Sequence, residues 1–271
     1  MKVQIPALLS HYTTLAGFIG IIESNRLWAS NASFLNDKME LLHGLQAAQT
    51  AVNGKAKLAE DRWLAAMVEV LTELKNDGLL NTYISCFCPQ SDVLSLWRGY
   101  GGGQQGISVT FEGIKLEKWL AKSKAEPSAV IYAKVSTVSK FRAELKKELK
   151  EEVEWEDLLG EEYTAEEVKK NVKKLMSKLL PRFKHLGFKD EREFRFVVHK
   201  RGNNEVKFRV KNSTIVPYVE LGVGSIRLPI TSVTIGPSSD MLLTKKSVEV
   251  FLRANGYQDV EVCTSEVPYR D

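Results

Sequence analysis

The sequence lacks the features that mark a membrane-spanning, secreted or disulfide-linked protein. No run of about 18 apolar residues occurs, which argues against a membrane span. Residues 1–10 contain one lysine and no long apolar stretch, so they do not resemble a signal peptide. The 3 cysteines cannot form a paired disulfide framework. We therefore expect reduced thiols, a cytoplasmic location and no membrane partner.

The short motifs of several enzyme classes are also missing. There is no Gly-x-x-x-x-Gly-Lys-Ser/Thr phosphate loop and no Gly-x-Ser-x-Gly nucleophile elbow. The chain has only 4 histidines, and Cys86 and Cys88 have no second Cys or His pair at a zinc-ligand spacing. We expect no bound metal.

The charge is nearly balanced. The 38 basic and 34 acidic residues give a net charge of +4, and the eleven acidic and eleven basic residues of segment 140–182 cancel. The positive excess therefore lies in the rest of the chain, where an anionic dinucleotide or nucleic acid would be tolerated. The charged segment itself has three interpretations: a partner-binding arm, a helical pair packed on the domain or, by default, a solvated insertion.

The order of elements indicates an α+β fold. Helical periodicity dominates the first part of the chain, and strand-like segments dominate the end, which favours a mixed or antiparallel sheet over regular βαβ alternation. We expect a single domain over residues 1–271, with N-terminal helices and a charged helical insertion at about 140–182.

Two polar clusters lie near the starts of predicted helices. His11, Tyr12 and Thr13 follow a short apolar strand, where they could face a cleft beside the positive end of a helix dipole. The alternative is that threonine caps the helix while His11 and Tyr12 pack. Asn36, Asp37 and Glu40 are explained by a helix N-terminus with a capping carboxylate, and ligand binding is the minority interpretation.

A third cluster combines aromatic and polar side chains before a glycine segment. It contains Ser95, Trp97, Arg98 and Tyr100, followed by glycines at 101–103. Two aromatic side chains could stack on a planar ligand, and the glycines would allow close approach of the backbone or movement of a lid. A helical turn with Trp97 in the core explains the same residues.

The fourth cluster, residues 191–197, is the most informative. On a strand, Glu191, Glu193 and Arg195 would share one face. A carboxylate held there by an arginine could stabilise a developing cation. An exposed sheet face with cross-strand ion pairs is the alternative.

Together these blocks resemble a widespread bacterial family described only as a domain of unknown function. The resemblance covers nearly the whole chain and is carried by His11–Thr13, Leu27–Ala29, Asn36–Glu40, Ser95–Tyr100, Phe183–Arg195, Val216–Tyr218, Ile235–Pro237 and Pro268–Arg270.

A second resemblance concerns function. The order of a histidine near a strand end, a central aromatic residue or serine and a late glutamate is similar to that of ADP-ribosyltransferases. It implies that NAD is the substrate and that His11, Tyr100 and Glu193 are catalytic. In the family the histidine contacts the ribose, the aromatic residue (Tyr100 or Trp97 in this chain) stacks on nicotinamide, and the glutamate supports the oxocarbenium-like state. The implied NAD-binding set is His11, Tyr12, Thr13, Trp97, Arg98, Tyr100, Ser108 and Glu191.

The second motif departs from the family pattern, because Gly106-Ile107-Ser108 matches it only in part and makes Ser108 a rival of Tyr100. We expect an NAD-dependent ADP-ribosyltransferase-like enzyme that modifies nucleic acid or protein, with a role in bacterial conflict or phage defence by analogy. Two other classes stay open: a non-enzymatic module that binds a nucleotide or a partner, and a metal-dependent nuclease built on Asp37, Glu40, Glu191 and Glu193.

Overall fold

The computed structural model describes residues 3–35, 38–54, 59–79, 81–101, 105–159, 162–199, 205–211 and 213–268. The strands are β1 (Leu8–Thr14), β2 (Leu27–Asn31), β3 (Thr82–Phe87), β4 (Gly106–Glu112), β5 (Glu126–Ala129), β6 (Ile131–Ala133), β7 (Phe183–His185), β8 (Phe194–His199), β9 (Lys207–Lys211), β10 (Thr214–Leu221), β11 (Ile230–Ile235) and β12 (Glu261–Thr264). The α-helices are α1 (Leu15–Ser24), α2 (Lys38–Val52), α3 (Asp61–Asp77), α4 (Leu94–Tyr100), α5 (Gly113–Ala121), α6 (Thr137–Leu159), α7 (Ala165–Leu179) and α8 (Met241–Ala254). Short 3-10 helices cover Ala32–Phe34, Leu180–Arg182 and Leu186–Glu191.

The chain divides into two compact units. Unit 1 contains residues 1–30, 83–129 and 190–271, and unit 2 contains residues 31–82 and 130–189. The α+β class with mixed and antiparallel sheets is confirmed. The single domain over residues 1–271 stays a prediction.

Two sheets form the framework of unit 1. The four-stranded sheet has the order β1-β4-β11-β12, with antiparallel pairs except for the parallel β11/β12 pair. The six-stranded sheet has the order β5-β8-β3-β2-β10-β9. Strands far apart in sequence are therefore neighbours, and β8 lies beside β3 within this sheet.

The core of unit 1 lies between these sheets and α1, α5 and α8. Phe18 of α1, Trp119 of α5 and Leu252 of α8 belong to one buried cluster with Phe111 and Phe196 of the two sheets. A buried side chain of this size contributes about 1.5–3 kcal/mol to stability. This apolar packing fixes the ends of β1, β3 and β8 relative to one another.

Unit 2 is mainly helical. Its α7 begins with a capping box, in which the Thr164 and Glu167 side chains satisfy each other's backbone N–H groups. One face of α7 is buried (Val168, Val172, Leu175, Met176 and Leu179), while Lys169 on its polar face is paired with Glu73 of α3 at 2.8 Å. The charged segment is thus a helical pair with an apolar face buried in unit 2.

Several local expectations can be compared with the elements. Thr14 caps α1 by accepting a hydrogen bond from the Gly17 N–H at 3.1 Å, as the capping interpretation requires. The sequence predicts one strand over 129–135; the structure instead has the end of β5 and the short β6 (Ile131–Ala133) there. Asn36 and Asp37 lie outside the described residues. No helix in the described ranges is long and apolar enough to cross a bilayer.

Candidate functional site

His11 lies in the middle of β1, not at a strand end as the sequence suggested. The reason is that β1 continues to Thr14 by pairing with β4, where His11 is opposite Val109. The His11 Nδ1 atom is 2.9 Å from the Cys86 carbonyl oxygen. A carbonyl only accepts, so Nδ1 carries the proton, and Nε2 is the acceptor atom of the neutral ring. The ring also packs at 5.5 Å from that of Phe87.

Tyr12 anchors the loop that follows β3. Its hydroxyl donates to the Gln90 carbonyl at 2.9 Å and accepts the Val93 N–H at 3.1 Å. Burial raises the pKa of Tyr12, and the nearby Cys88 raises it further. The hydroxyl therefore stays protonated and is occupied by the loop. Thr13, next in β1, is half-buried and lies against Gly17.

Trp97 occupies the packed side of α4. Its ring lies 4.7 Å from that of Tyr12 in an edge-on arrangement, and added Cβ atoms at Gly106 and Gly236 would meet it at 3.0 and 2.9 Å. Its indole N–H donates to Asp92 at 2.7 Å. This environment is that of a core residue, the alternative that the sequence left open.

Asp92 is a residue that the sequence reasoning missed. Besides Trp97, its carboxylate accepts the Ser265 hydroxyl at 2.5 Å and the Glu266 N–H at 2.8 Å. It thus ties α4 to the segment after β12. No local signal identifies such a role, because the partners are more than 170 positions away.

The other residues of the predicted NAD-binding set differ in accessibility. Arg98 is exposed on α4, and Tyr100 is half-buried against the cluster that contains Tyr12 and Trp97. Ser108 is fully buried in β4, opposite Tyr12. Among the central candidates, the Tyr100 side chain is therefore more exposed than that of Trp97, and the Ser108 side chain is not exposed.

Glu193 and Arg195 form a buried ion pair at the start of β8. The Arg195 Nε donates to Glu193 Oε1 at 2.8 Å, and Nη2 donates to Oε2 at 2.9 Å. Their side chains are only 5% and 2% exposed. Such a bidentate pair fixes the direction of the carboxylate as well as its charge.

Glu191 does not continue the strand face. It ends the 3-10 helix Leu186–Glu191, and Arg192 has a positive φ of 43°. A non-glycine residue in the left-handed region is uncommon and is held there by its surroundings. The expectation that Glu191 and Glu193 share one strand face is therefore wrong, because the backbone turns sharply between them.

Cys88 connects this turn to β1. Burial raises the pKa of its thiol; the charge of Arg192 lowers it, and the charges of Glu191 and Glu193 raise it. The Cys88 backbone N–H and carbonyl also pair with Ser10 of β1 at 2.9 and 2.7 Å. His11 contacts the end of β3 through the Cys86 carbonyl and the Phe87 ring, and β8, which follows Glu193, is the neighbour of β3 in the six-stranded sheet, with the Phe196 ring 5.5 Å from that of Phe87.

In the described ranges no group of three or more His, Cys, Asp or Glu side chains could hold a metal ion. Asp37 and the Glu40 side chain, half of the set for the nuclease interpretation, lie outside those ranges. The glycines at 102 and 103 also lie outside the described ranges.

Residues 96–196 match the family model of DUF2971, a protein of unknown function. The match begins within α4 and ends within β8, so it includes Tyr100, Glu193 and Arg195 but not His11. No curated protein and no solved structure matches the chain.

Proposed function

We propose that unit 1 carries an NAD-dependent ADP-ribosyltransferase site formed by His11, Tyr100 and Glu193. The observation that carries the proposal is that His11 and β8 both pack against the end of β3, where Phe87 contacts His11 and Phe196, and that a buried, oriented carboxylate directly precedes β8. The order of histidine, aromatic residue and glutamate supports the same assignment.

The reaction breaks the bond between ribose C1′ and the nicotinamide nitrogen. The bond electrons leave with nicotinamide, which becomes neutral, and positive charge develops on the ribose ring. In the proposal the Glu193 carboxylate stabilises that charge, because a preorganised anion in a buried site acts strongly on a developing cation. The nucleophile of the target then bonds to C1′ and loses its proton.

Arg195 and His11 have supporting roles in this proposal. Arg195 holds both carboxylate oxygens, which sets the orientation of Glu193 before substrate binds. In the proposal His11, whose ring is held at Nδ1 by the Cys86 carbonyl, contacts a ribose hydroxyl. Tyr100 supplies the half-buried ring against which nicotinamide would stack.

The experiment measures nicotinamide release from NAD and transfer of labelled ADP-ribose to cell lysate, with and without a chelator. We expect activity that is indifferent to chelation, is lost in Glu193→Gln and is retained in Glu23→Gln, which alters an exposed glutamate of α1. Glu193→Asp keeps a negative charge beside Arg195, so this variant should keep the fold. Its shorter side chain withdraws the carboxylate from the proposed position of the ribose.

Three outcomes would contradict the proposal. If the wild type released no nicotinamide and transferred no ADP-ribose, the interpretation as a non-enzymatic binding module would remain. Equal rates in Glu193→Gln and the wild type would remove Glu193 from the mechanism. Loss of activity on chelation alone would favour the metal-dependent interpretation.

A further inference from the structure

A second group of side chains in unit 1 gathers on one face of β2, β10 and β9. In these antiparallel pairs Tyr218 is opposite both Ser30 and Lys207, and Glu220 is opposite Trp28. Arg209 lies two residues beyond Lys207 and so projects from the same face. The proposed transferase site uses none of these residues.

Arg209 is held between two aromatic rings. Its guanidinium carbon is 5.3 Å from the ring centroid of Trp28 and 5.6 Å from that of Tyr218, and the two rings are 5.3 Å apart. Its Nη2 donates to the Ser30 hydroxyl at 2.8 Å. The guanidinium is therefore fixed in orientation, as in sites that bind oxyanions.

Two donors in this cluster have no acceptor among the residues that the structure describes. The Arg209 Nε and the Trp28 Nε1 are both buried, and no described residue accepts a hydrogen bond from either. Within the described ranges no carboxylate pairs with Arg209, and its burial lowers the pKa of the guanidinium. A desolvated cation without a counter-ion is costly.

Arg195, in the same unit, shows how a buried guanidinium edge is paired with acceptors. Its Nε and Nη2 atoms both donate to a carboxylate. The corresponding edge of Arg209 has only a neutral hydroxyl at Nη2 and nothing at Nε. An anion with two or more oxygen acceptors would complete the edge.

The surrounding charge favours an anion as well. Glu220 is shared by Lys207 at 2.7 Å and Arg26 at 3.8 Å. With Arg209, the described side chains of this group include three cations and one carboxylate, so their net charge is positive.

We propose that Arg209, Trp28, Ser30 and Lys207 form a binding site for the phosphate group of a nucleotide. The guanidinium edge and the indole N–H supply the buried donors, and Lys207 supplies charge at the rim. Phosphate fits better than carboxylate, because donors from several side chains can each meet a different oxygen. The site is independent of the transferase proposal and stands or falls separately.

The test uses the full-length protein and three probes: inorganic phosphate, AMP and a short oligothymidylate. Binding is followed by calorimetry and by the rise in melting temperature. We expect Arg209→Gln to weaken binding by about tenfold or more, since it removes charge-assisted hydrogen bonds. The matched control is Arg227→Gln, which removes an arginine stacked at 4.0 Å on Tyr257 elsewhere in unit 1.

The stability of the free variants gives an independent readout. Arg209→Gln removes an uncompensated cation, so the ligand-free variant should melt no lower than the wild type. Phosphate should raise the melting temperature of the wild type and of Arg227→Gln more than that of Arg209→Gln. Tighter binding of the oligonucleotide than of AMP would assign the phosphate to nucleic acid, and the reverse order to a free nucleotide.

Two results would overturn the proposal: no probe binds at millimolar concentration, or Arg209→Gln and the wild type bind equally. Glu193→Asp, which keeps a negative charge beside Arg195, separates the two proposals, because it should lower nicotinamide release and leave phosphate binding unchanged.

Discussion

The buried pair of Glu193 and Arg195 makes a strong prediction about stability. Replacing Glu193 by Gln leaves a guanidinium that is 2% exposed without its anion. Solvent screens a charge at that depth very little, and both hydrogen bonds, of 2.8 and 2.9 Å, lose their charged acceptor. Breaking one side of a buried pair costs about 3–5 kcal/mol, so we expect a loss of that size in the free energy of unfolding.

The assay is urea unfolding followed by circular dichroism, with two comparisons. Glu112→Gln breaks the exposed pair with Lys115, in which the side chains are 43% and 66% exposed, and should cost less than about 1 kcal/mol. Replacing both partners, as Glu193→Gln with Arg195→Met, should recover most of the loss, because no unpaired charge remains. A loss in Glu193→Gln no greater than that in Glu112→Gln would refute this reasoning.

Three further predictions concern other parts of the chain. Burial, and then the charge of His185, lower the pKa of His43 in the folded state, so the unfolded chain takes up that proton first. The melting temperature should therefore fall between pH 7.5 and about 5.5, and His43→Asn should reduce the fall. Gly222→Ala should lower the free energy of unfolding by about 2 kcal/mol or more, because φ is +92° and a Cβ would overlap the Trp119 ring. The control Gly99→Ala, where a Cβ would have nothing within 4 Å, should be neutral or stabilising. Asp92→Ala should lower the free energy of unfolding by about 1–3 kcal/mol, because Ser265 and Glu266 lose their acceptor. Proteolysis after residue 264 should become faster, and unchanged cleavage would contradict the tethering role of Asp92.

Local chemistry made part of the fold predictable. The threonine cap of α1, the strand β11 and the helix α8 follow from capping residues and apolar periodicity, which act over a few residues. The pairing of Glu193 with Arg195 agrees with the spacing of two that the sequence suggested, although Glu193 directly precedes β8.

Long-range pairing set the limits of that reasoning. The extension of β1 to Thr14 depends on β4, about a hundred residues away, and no pattern in residues 8–14 specifies it. Trp97 is buried because Gly106 and Gly236 leave room for its ring, and Asp92 is satisfied by Ser265. The positive φ at Arg192 likewise separates Glu191 from the strand face that simple alternation assigned to it.

The central claim is that His11 and Glu193 belong to one NAD site, and amide hydrogen exchange with and without NAD tests it most directly. If they do, NAD slows exchange in residues 10–13 of β1 and in residues 191–195 together and leaves exchange in helix α8 unchanged. Slowing in only one of the two segments, or in neither at saturating NAD, would contradict it.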